Sequence, residues 1–269
     1  MSEPKSAQEP MRVFVGTDES QMVATKVLEY SIRRHASAPV EVVPMRDLPI
    51  PVPADPANRP RTGFSLFRFV IPELAGYRGR ALYLDADMHV FTDIAELWRI
   101  PFGEDLVLCT CQPEPPPAWR HHAFFRPGRQ FSVMLLDCDR LDWDIAKIVA
   151  NLDAGAFTYP QLLFEMCVVP DGRVGDRIPR EWNCLEHYDL GRTKLLHYTV
   201  VPTQPWKNDQ NPLRYVWERE FEDAVAAGAV PEELVQEGVA KGHLKRSLLD
   251  AFLRRPRTQS ASLAGTASA

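Results

Sequence analysis

The stretch Arg80-Ala-Leu-Tyr-Leu-Asp-Ala-Asp87 decides the fold of this chain. Its apolar residues predict a buried β-strand, and the strand runs directly into two carboxylates. Alternate residues of an extended segment point to the same side, so Asp85 and Asp87 can converge on one cation. Placing two carboxylates at the end of a hydrophobic strand is costly unless a partner compensates them. In an open α/β sheet, the carboxyl ends of the strands are also where ligands bind.

Three interpretations of the Asp85-Ala-Asp87 turn are open on this pattern alone. Carboxylate oxygens suit Mg²⁺ or Mn²⁺, and such an ion would bridge the phosphates of a nucleotide. Alternatively, the two aspartates only cap a turn. Phosphatases of the haloacid-dehalogenase type also place Asp-x-Asp after a hydrophobic strand, with the first aspartate as nucleophile. That interpretation is disfavoured, because His89 stands where those enzymes have Thr or Val and because a strand–helix–strand unit precedes the turn.

The segments around this strand predict an α/β sheet. A buried strand over residues 12–16, a helix from Met22 and a second strand over 40–43 form a strand–helix–strand unit. Six prolines in residues 44–62 predict an extended surface loop. Further strands are predicted at 106–111, 131–136 and 194–198, and helices at 64–74, 143–152, 159–166 and 213–240.

The composition is that of a soluble globular protein. The chain has 269 residues, of which 45% are hydrophobic and 25% charged, which suits one large domain. The formal net charge of -5 argues against a nucleic-acid partner. No apolar run reaches the roughly 18–20 residues of a membrane span, and the N-terminus lacks the apolar core of a signal peptide. We therefore expect a cytoplasmic protein, or one that is peripheral on the cytosolic face of a membrane.

The five cysteines argue against a disulfide framework, because their number is odd and no secretion signal is present. Cys109 and Cys111 stand two apart in a predicted strand, so their side chains share a face. A packed core pair is favoured there over a metal-binding pair.

Several strings of this chain resemble the family 8 glycosyltransferases, the group that contains glycogenin and bacterial lipopolysaccharide galactosyl- and glucosyltransferases. The most specific is LFRFVIPELAGYRGRALYLDADMHVF over residues 66–91. Further downstream, Glu181-Trp-Asn183, then Leu195-Leu-His-Tyr-Thr199 and Gln204-Pro-Trp206 resemble the family's C-terminal elements. The opening string VFVGTDES resembles its first strand. The likeness covers about residues 11–207 and is nearest to a bacterial branch of the family.

The resemblance implies a GT-A fold, which is a Rossmann-like mixed sheet flanked by helices in a single domain. We place this domain at residues 11–240, after a disordered N-terminus of residues 1–10. The resemblance also implies a retaining transferase that uses Mn²⁺ or Mg²⁺ and moves a hexose from a nucleotide-sugar donor, a UDP-sugar. The acceptor is not identified by the resemblance, and we expect a hydroxyl compound that is a small molecule, a saccharide or lipid-linked.

The family's site residues carry over one at a time. Asp85, Asp87 and His197 match the metal ligands, and Asp85 also matches a contact to the donor ribose. Asp18 matches a residue near the uracil and ribose. Arg68 matches an arginine that faces the donor sugar and phosphates, where a planar fork suits phosphate oxygens. Taken alone, His197 would be a packed core histidine and Arg68 a surface ion pair.

The chain departs from the family pattern around the donor sugar. The family's Asn-x-Gly-Val reads Gln130-Phe-Ser-Val133 here, so Gln130 or Ser132 would take its role. The family's Asp-Gln-Asp step reads Thr158-Tyr-Pro-Gln161, which leaves Gln161 and then Glu165 as candidates beside the anomeric carbon. The family's phosphate-binding lysine is Gln204 here, with Lys207 as a substitute for donor binding.

Two other function classes compete with a transferase. A degenerate transferase could bind a nucleotide-sugar without turnover, and the departures at Gln130 and Gln161 favour it. A nucleotidyltransferase would need a Gly-rich basic loop after the first strand. The segment Gly16-Thr-Asp-Glu-Ser-Gln21 has a single glycine and no Lys or Arg.

The C-terminal residues 241–269 form a basic segment and a tail. Residues 241–257 carry six positive charges and one negative charge, with leucines near helical spacing. Such a helix can lie on an anionic membrane surface. The alternative is a closing helix that packs its leucines on the domain. The Ser/Ala/Thr-rich residues after Pro256 are predicted to be disordered.

Overall fold

A computed structural model describes residues 9–60, 62–114, 127–170 and 172–254. Its strands are β1 (Met11–Gly16), β2 (Val40–Met45), β3 (Arg80–Asp85), β4 (Met88–Val90), β5 (Val107–Gln112), β6 (Gly128–Asp137), β7 (Val174–Ile178), β8 (Cys184–Leu185) and β9 (Leu195–His197). Its α-helices are α1 (Met22–His35), α2 (Ile71–Leu74), α3 (Ala95–Trp98), α4 (Ile145–Asp153), α5 (Arg214–Ala226), α6 (Glu232–Ala240) and α7 (Asp250–Leu253). None of these helices is both long and apolar enough to cross a membrane.

The predicted GT-A architecture is confirmed as a mixed sheet flanked by helices. The large sheet has the order β2-β1-β3-β6-β5-β7. Strands β2, β1 and β3 run parallel, β6 is antiparallel to both of its neighbours, and β7 is parallel to β5. A second sheet has the order β4-β9-β8. Because β4 follows β3 after two residues and pairs with β9, the C-terminal part of the chain is brought to the carboxyl end of β3.

The central strand β3 separates two apolar clusters. Its side chains alternate, so that Ala81 and Tyr83 face one cluster while Leu82 and Leu84 face the other. Gly16 of β1 lies opposite Asp85, and a Cβ atom at this glycine would clash with the Tyr83 hydroxyl. A glycine at the end of β1 therefore makes room for the Tyr83 side chain beside the predicted metal site.

Most predicted elements are confirmed, and the differences have physical causes. The loop predicted from residue 44 begins later, because Pro44 lies in β2, an edge strand that pairs only with β1 and can do without one N–H donor. The helix predicted over 64–74 is a 3₁₀ turn, Phe67–Val70, followed by α2. The helix predicted over 159–166 is a single π-helical turn, Gln161–Glu165.

The basic C-terminal segment packs on the domain as far as it is described. It forms a 3₁₀ turn, Arg246–Leu249, and then α7, rather than one continuous helix. Leu244 and Leu248 are buried in an apolar cluster with α1 and α5, whereas Leu253 is exposed. The Lys245 ammonium donates to Asp209 Oδ1 at 2.7 Å. Residues 255–269 lie outside the described ranges, as do residues 1–8.

The first cysteine of the 109/111 pair is a core residue. Cys109 is fully buried, and this burial raises the pKa of its thiol to about 12. Cys111 is half-buried, and all five cysteines are free thiols. The packed interpretation of Cys109 is confirmed.

Candidate metal and donor site

Two segments that are distant in the chain but adjacent in the fold bring the three predicted metal ligands together. Asp85 ends β3 and Asp87 follows after one residue, while His197 ends β9. Met88 pairs with His197 across β4 and β9, and the Tyr198 amide donates to the Asp87 carbonyl at 2.8 Å. One ligand atom from each of the three side chains lies within 4.8 Å of the others. This grouping was predicted from sequence and is present in the structure.

The chemistry of this group, called here the Asp-Asp-His cluster (Asp85, Asp87 and His197), fits a divalent cation. Asp87 Oδ1 lies 3.0 Å from His197 Nε2. The same oxygen is buried and outside hydrogen-bond geometry with every described residue. A buried carboxylate is costly unless its charge is compensated, and a cation held between oxygen and nitrogen ligands would compensate it. Two carboxylates and one neutral imidazole suit Mn²⁺ or Mg²⁺, and an ion bound there would have positions left for phosphate oxygens.

Electrostatics within the cluster favour added positive charge. Burial raises the pKa of the Asp85 carboxyl, although Arg68 opposes this effect, and the negative charge of Asp87 raises it further. Burial alone would lower the pKa of His197, but the two neighbouring carboxylates outweigh it and raise that pKa. Without an ion, the cluster therefore tends to retain protons, and a divalent cation would displace them.

Arg68 is buried, so the surface ion pair considered from sequence is wrong. Its guanidinium donates to the carbonyls of Ser65 at 3.1 Å and Phe131 at 3.0 Å, and to the Tyr83 hydroxyl at 3.2 Å. It also lies 3.7 Å from Asp85 Oδ1. Arg68 thus supports Asp85 from within the protein, and its predicted contact with a donor remains a prediction.

Tyr83 is a site residue that the sequence analysis missed. Its hydroxyl donates to Asp85 Oδ1 at 2.5 Å, and the Arg68 guanidinium stacks 4.7 Å from the centre of its ring. Burial raises the pKa of the phenol well above its usual value, so Tyr83 keeps its proton and remains a donor. The alternation of β3 contains the available signal, since residues 83 and 85 must point to the same side of the strand.

Asp18 and Lys207 lie near each other, and Lys207 also lies near Asp87. Asp18 follows β1 and accepts a 2.6 Å hydrogen bond from the Ser20 hydroxyl. Burial lowers the pKa of Lys207, while the charges of Asp18 and Asp87 act in the opposite direction. Among the residues that the structure describes, the Lys207 ammonium forms no hydrogen bond and no ion pair. It is a half-buried cation beside the Asp-Asp-His cluster.

The remaining candidates lie at positions with other contacts. Ser132 Oγ accepts from Asn183 Nδ2 at 3.1 Å, and Gln130 Nε2 donates to the Gly128 carbonyl at 3.4 Å. Gln161 is exposed, and its Oε1 accepts from the Thr158 amide at 2.8 Å. Glu165 is also exposed and, like Gln161, has no hydrogen bond or ion pair with the cluster in the described ranges. A catalytic role for either residue stays a prediction.

The sequence is similar to those of several known proteins. Residues 54–132 match the model of glycosyl transferase family 8. Protein CDI of Arabidopsis thaliana is 26% identical, covering 81% of this chain and 88% of that protein. Galactinol synthase 2 of the same plant is 24% identical, covering 48% of this chain and 46% of its own length. This chain therefore matches only about half of that relative.

A solved structure shares the fold. The galactosyltransferase LgtC, in complex with donor and acceptor sugar analogues, superposes with a TM-score of 0.58 at 16% identity. The superposition covers 87% of this chain and 100% of LgtC. The two curated relatives are plant proteins, so they do not confirm the expected bacterial branch. The segment matched to family 8 contains Arg68, Asp85 and Asp87. Together with the GT-A fold, the match over this segment supports the interpretation of the protein as a family 8 glycosyltransferase. The protein is an enzyme of the glycosyltransferase class.

Proposed function

We propose that this protein transfers a hexose from a UDP-sugar to a hydroxyl acceptor, depends on Mn²⁺ or Mg²⁺, and retains the configuration of the anomeric carbon. The observation that carries the proposal is the Asp-Asp-His cluster at the carboxyl end of β3. Ligands of α/β sheets bind at this edge. A neighbour with the same fold, LgtC, was captured with donor and acceptor sugar analogues, which supports the same two classes of ligand here.

The residues of the site divide into those that would hold an ion and those that would contact the donor directly. Asp85, Asp87 and His197 would hold the ion, which when bound supplies positive charge to the diphosphate leaving group. Lys207 adds a second positive charge, since its ammonium is half-buried beside Asp87 and Asp18. Asp18 stands after β1, where it can accept hydrogen bonds from the nucleoside. Stabilising the charge that develops on the leaving group provides most of the rate enhancement.

The proposed transfer needs no strong base in the protein. The acceptor oxygen forms a bond to the anomeric carbon from the same face on which the bond to the diphosphate oxygen breaks. The acceptor proton passes to the departing phosphate oxygen, and the configuration is retained. A covalent intermediate would need a carboxylate on the opposite face. Glu165 is the candidate for that role, and its exposed position at the end of a π-helical turn favours the direct route.

A second candidate function is nucleotide-sugar binding without turnover. The contacts of Gln161, the first candidate beside the anomeric carbon, favour it. The side-chain oxygen of Gln161 already accepts hydrogen bonds within the protein, from the amide and hydroxyl of Thr158. A nucleotidyltransferase is less well supported. The segment after β1 forms a 3₁₀ turn, Glu19–Gln21, without a basic side chain.

A hydrolysis and binding screen tests the proposal. UDP-glucose, UDP-galactose and their N-acetyl forms are incubated with Mn²⁺, with Mg²⁺ and with a chelator, and release of UDP is measured. We expect metal-dependent release from one preferred donor and none with the chelator. Tight UDP binding without release from any donor would identify a binder. If UDP does not bind in the presence of Mn²⁺, the proposal fails.

The acceptor is proposed to be a small molecule, a saccharide or a lipid-linked compound, and the protein to act in the cytoplasm. Peripheral contact with a membrane through the basic C-terminal segment would suit a lipid-linked acceptor. The exposed Leu253 at the end of the described chain supports such a contact. Vesicle flotation tests it: the full-length protein should float with anionic lipid at low salt, and a variant that ends at Phe252, and so lacks Leu253 and the arginines after it, should not. If both stay in solution, the membrane part of the proposal is wrong.

A further inference from the structure

Two buried side-chain amides contact the candidate metal ligands on the sides that face away from the cluster. Asn183 contacts His197, and Gln204 contacts Asp87. Both amide residues are fully buried. They belong to different segments, since Asn183 precedes β8 and Gln204 lies beyond β9. We refer to them as the amide pair.

Asn183 determines which nitrogen of His197 carries the proton. Its Nδ2 donates to Thr110 Oγ1 and to Ser132 Oγ, each at 3.1 Å. With both amide hydrogens used in this way, Oδ1 faces His197 Nδ1 at 3.0 Å and can only accept. The proton of the neutral imidazole therefore lies on Nδ1. Its Nε2 then presents a lone pair toward Asp87.

The backbone groups of Asn183 are also hydrogen-bonded. Its backbone N–H donates to the Arg180 carbonyl at 2.9 Å, and its backbone carbonyl accepts from Gln112 Nε2 at 3.0 Å. Every polar group of this residue is thus hydrogen-bonded. A fully bonded, buried amide holds one orientation and transmits it to the imidazole.

Gln204 determines which oxygen of Asp87 is available to a ligand. Its Nε2 lies 2.9 Å from Asp87 Oδ2 and 3.0 Å from the Tyr198 carbonyl. Both partners are acceptors, so the NH₂ group of Gln204 must point at them. Oδ2 is thereby occupied, and Oδ1 is left free for another partner. In the resembled family a lysine stands at this position, and here the neutral amide bonds a metal ligand instead.

These two contacts act on the same gap between the metal ligands. They leave Asp87 Oδ1 and His197 Nε2 facing each other at 3.0 Å. A proton can lie between these two atoms, and a divalent cation that displaces it would bind both. We propose that Asn183 and Gln204 are positioning residues that preassemble the divalent-cation site. This inference rests on the proposed metal-dependent function.

Binding of Mn²⁺ alone tests the inference, measured by electron paramagnetic resonance without nucleotide or sugar. Asn183→Leu and Gln204→Met remove the amides while preserving much of their bulk. Each should weaken Mn²⁺ binding by about 10- to 100-fold, as is typical when a partner behind a metal ligand is lost. Asn183→Asp retains the acceptor oxygen and should bind Mn²⁺ within about threefold of the wild type. Ser31→Ala is the matched control, because Ser31 is fully buried, bonds only backbone groups and touches no metal ligand.

The outcomes distinguish failure of this inference from failure of the proposed function. If the wild type binds Mn²⁺ and the folded Leu and Met variants bind it equally well, the amide pair does not position the site. If the wild type does not bind Mn²⁺, the metal dependence itself is wrong, and this inference fails with it. Unfolded variants do not prevent the test, because ¹⁵N NMR of the metal-free wild type at alkaline pH reports the tautomer directly. An Nε2–H tautomer of His197 would overturn the role of Asn183.

Discussion

Replacing Arg68 by lysine tests whether the hydrogen bonds of this residue stabilise the structure around Asp85. The guanidinium donates in three directions, to two carbonyls, those of Ser65 and Phe131, and to the Tyr83 hydroxyl. A lysine ammonium is a single point on a flexible stem and cannot span these partners at once. The substitution keeps the positive charge beside Asp85, so it isolates the effect of the lost hydrogen bonds.

The magnitude follows from the groups that would lose a partner. If the ammonium retains one of the three hydrogen bonds, two buried acceptors are left without a donor. Each unsatisfied buried group costs about 1–3 kcal/mol, so Arg68→Lys should destabilise the protein by about 2–6 kcal/mol. In a domain of this size, about 1 kcal/mol corresponds to a change in Tm of about 2–4 °C. A decrease in Tm of roughly 10 °C is therefore expected.

Thermal unfolding followed by circular dichroism measures this effect. Arg33→Lys is the matched control, because Arg33 is about half exposed and bonds Glu29 within α1. Its Tm should change by less than about 2 °C, since an exposed pair contributes about 0.2–1 kcal/mol. A Tm of Arg68→Lys within this same range would refute the assigned hydrogen bonds. A normal Tm combined with weaker donor binding would return Arg68 to the direct donor contact expected from sequence.

Asp87→Ala and His197→Ala should each abolish transfer while the protein stays folded, because each removes one ligand atom from the cluster; near-normal Mn²⁺-dependent activity of His197→Ala would contradict its role as a ligand. Lys207→Met should weaken binding of UDP about tenfold and leave binding of uridine unchanged, since a charged contact to phosphate is lost; calorimetric titration with both ligands measures this, and equal losses would refute it. Burial lowers the pKa of His89, so the native state binds its proton less readily than the unfolded chain does. The stability that neutral His89 contributes to the folded protein is fully present above the unfolded pKa of about 6.5, and it declines as the pH falls below this value. The difference in Tm between about pH 7.5 and about pH 5.5 should therefore be smaller for His89→Gln than for the wild type, and an unchanged difference would contradict this.

The sequence by itself was sufficient for the regular part of the fold. Strand β3 and the helices α1 and α4 were predicted within a few residues, because their apolar patterns are local properties of the chain. The Asp-x-Asp turn was located for the same reason, since it follows β3 directly. His197 was found only through resemblance to a family, as no local pattern distinguishes it from a core histidine.

Elements that depend on partners far away in the chain were not predicted. Strands β4 and β8 have three and two residues, and they exist only because β9 lies between them. Segments this short have no periodic pattern of their own. The same limit applies to Arg68, whose partners at Tyr83 and Phe131 come from different strands of the sheet.

Residue types and their order therefore determined that two carboxylates end a buried strand and that a histidine is available to join them. Tertiary structure decided which hydrogen bonds the individual atoms of those side chains form. Gln204 lies 117 positions from Asp87 in the chain, and Asn183 lies 14 positions from His197. A sequence pattern shows the direction of a side chain within one strand or helix. The hydrogen bonds that orient a carboxylate or an imidazole arise only when separate segments pack, because they depend on distances of about 3 Å between atoms that the local sequence does not relate.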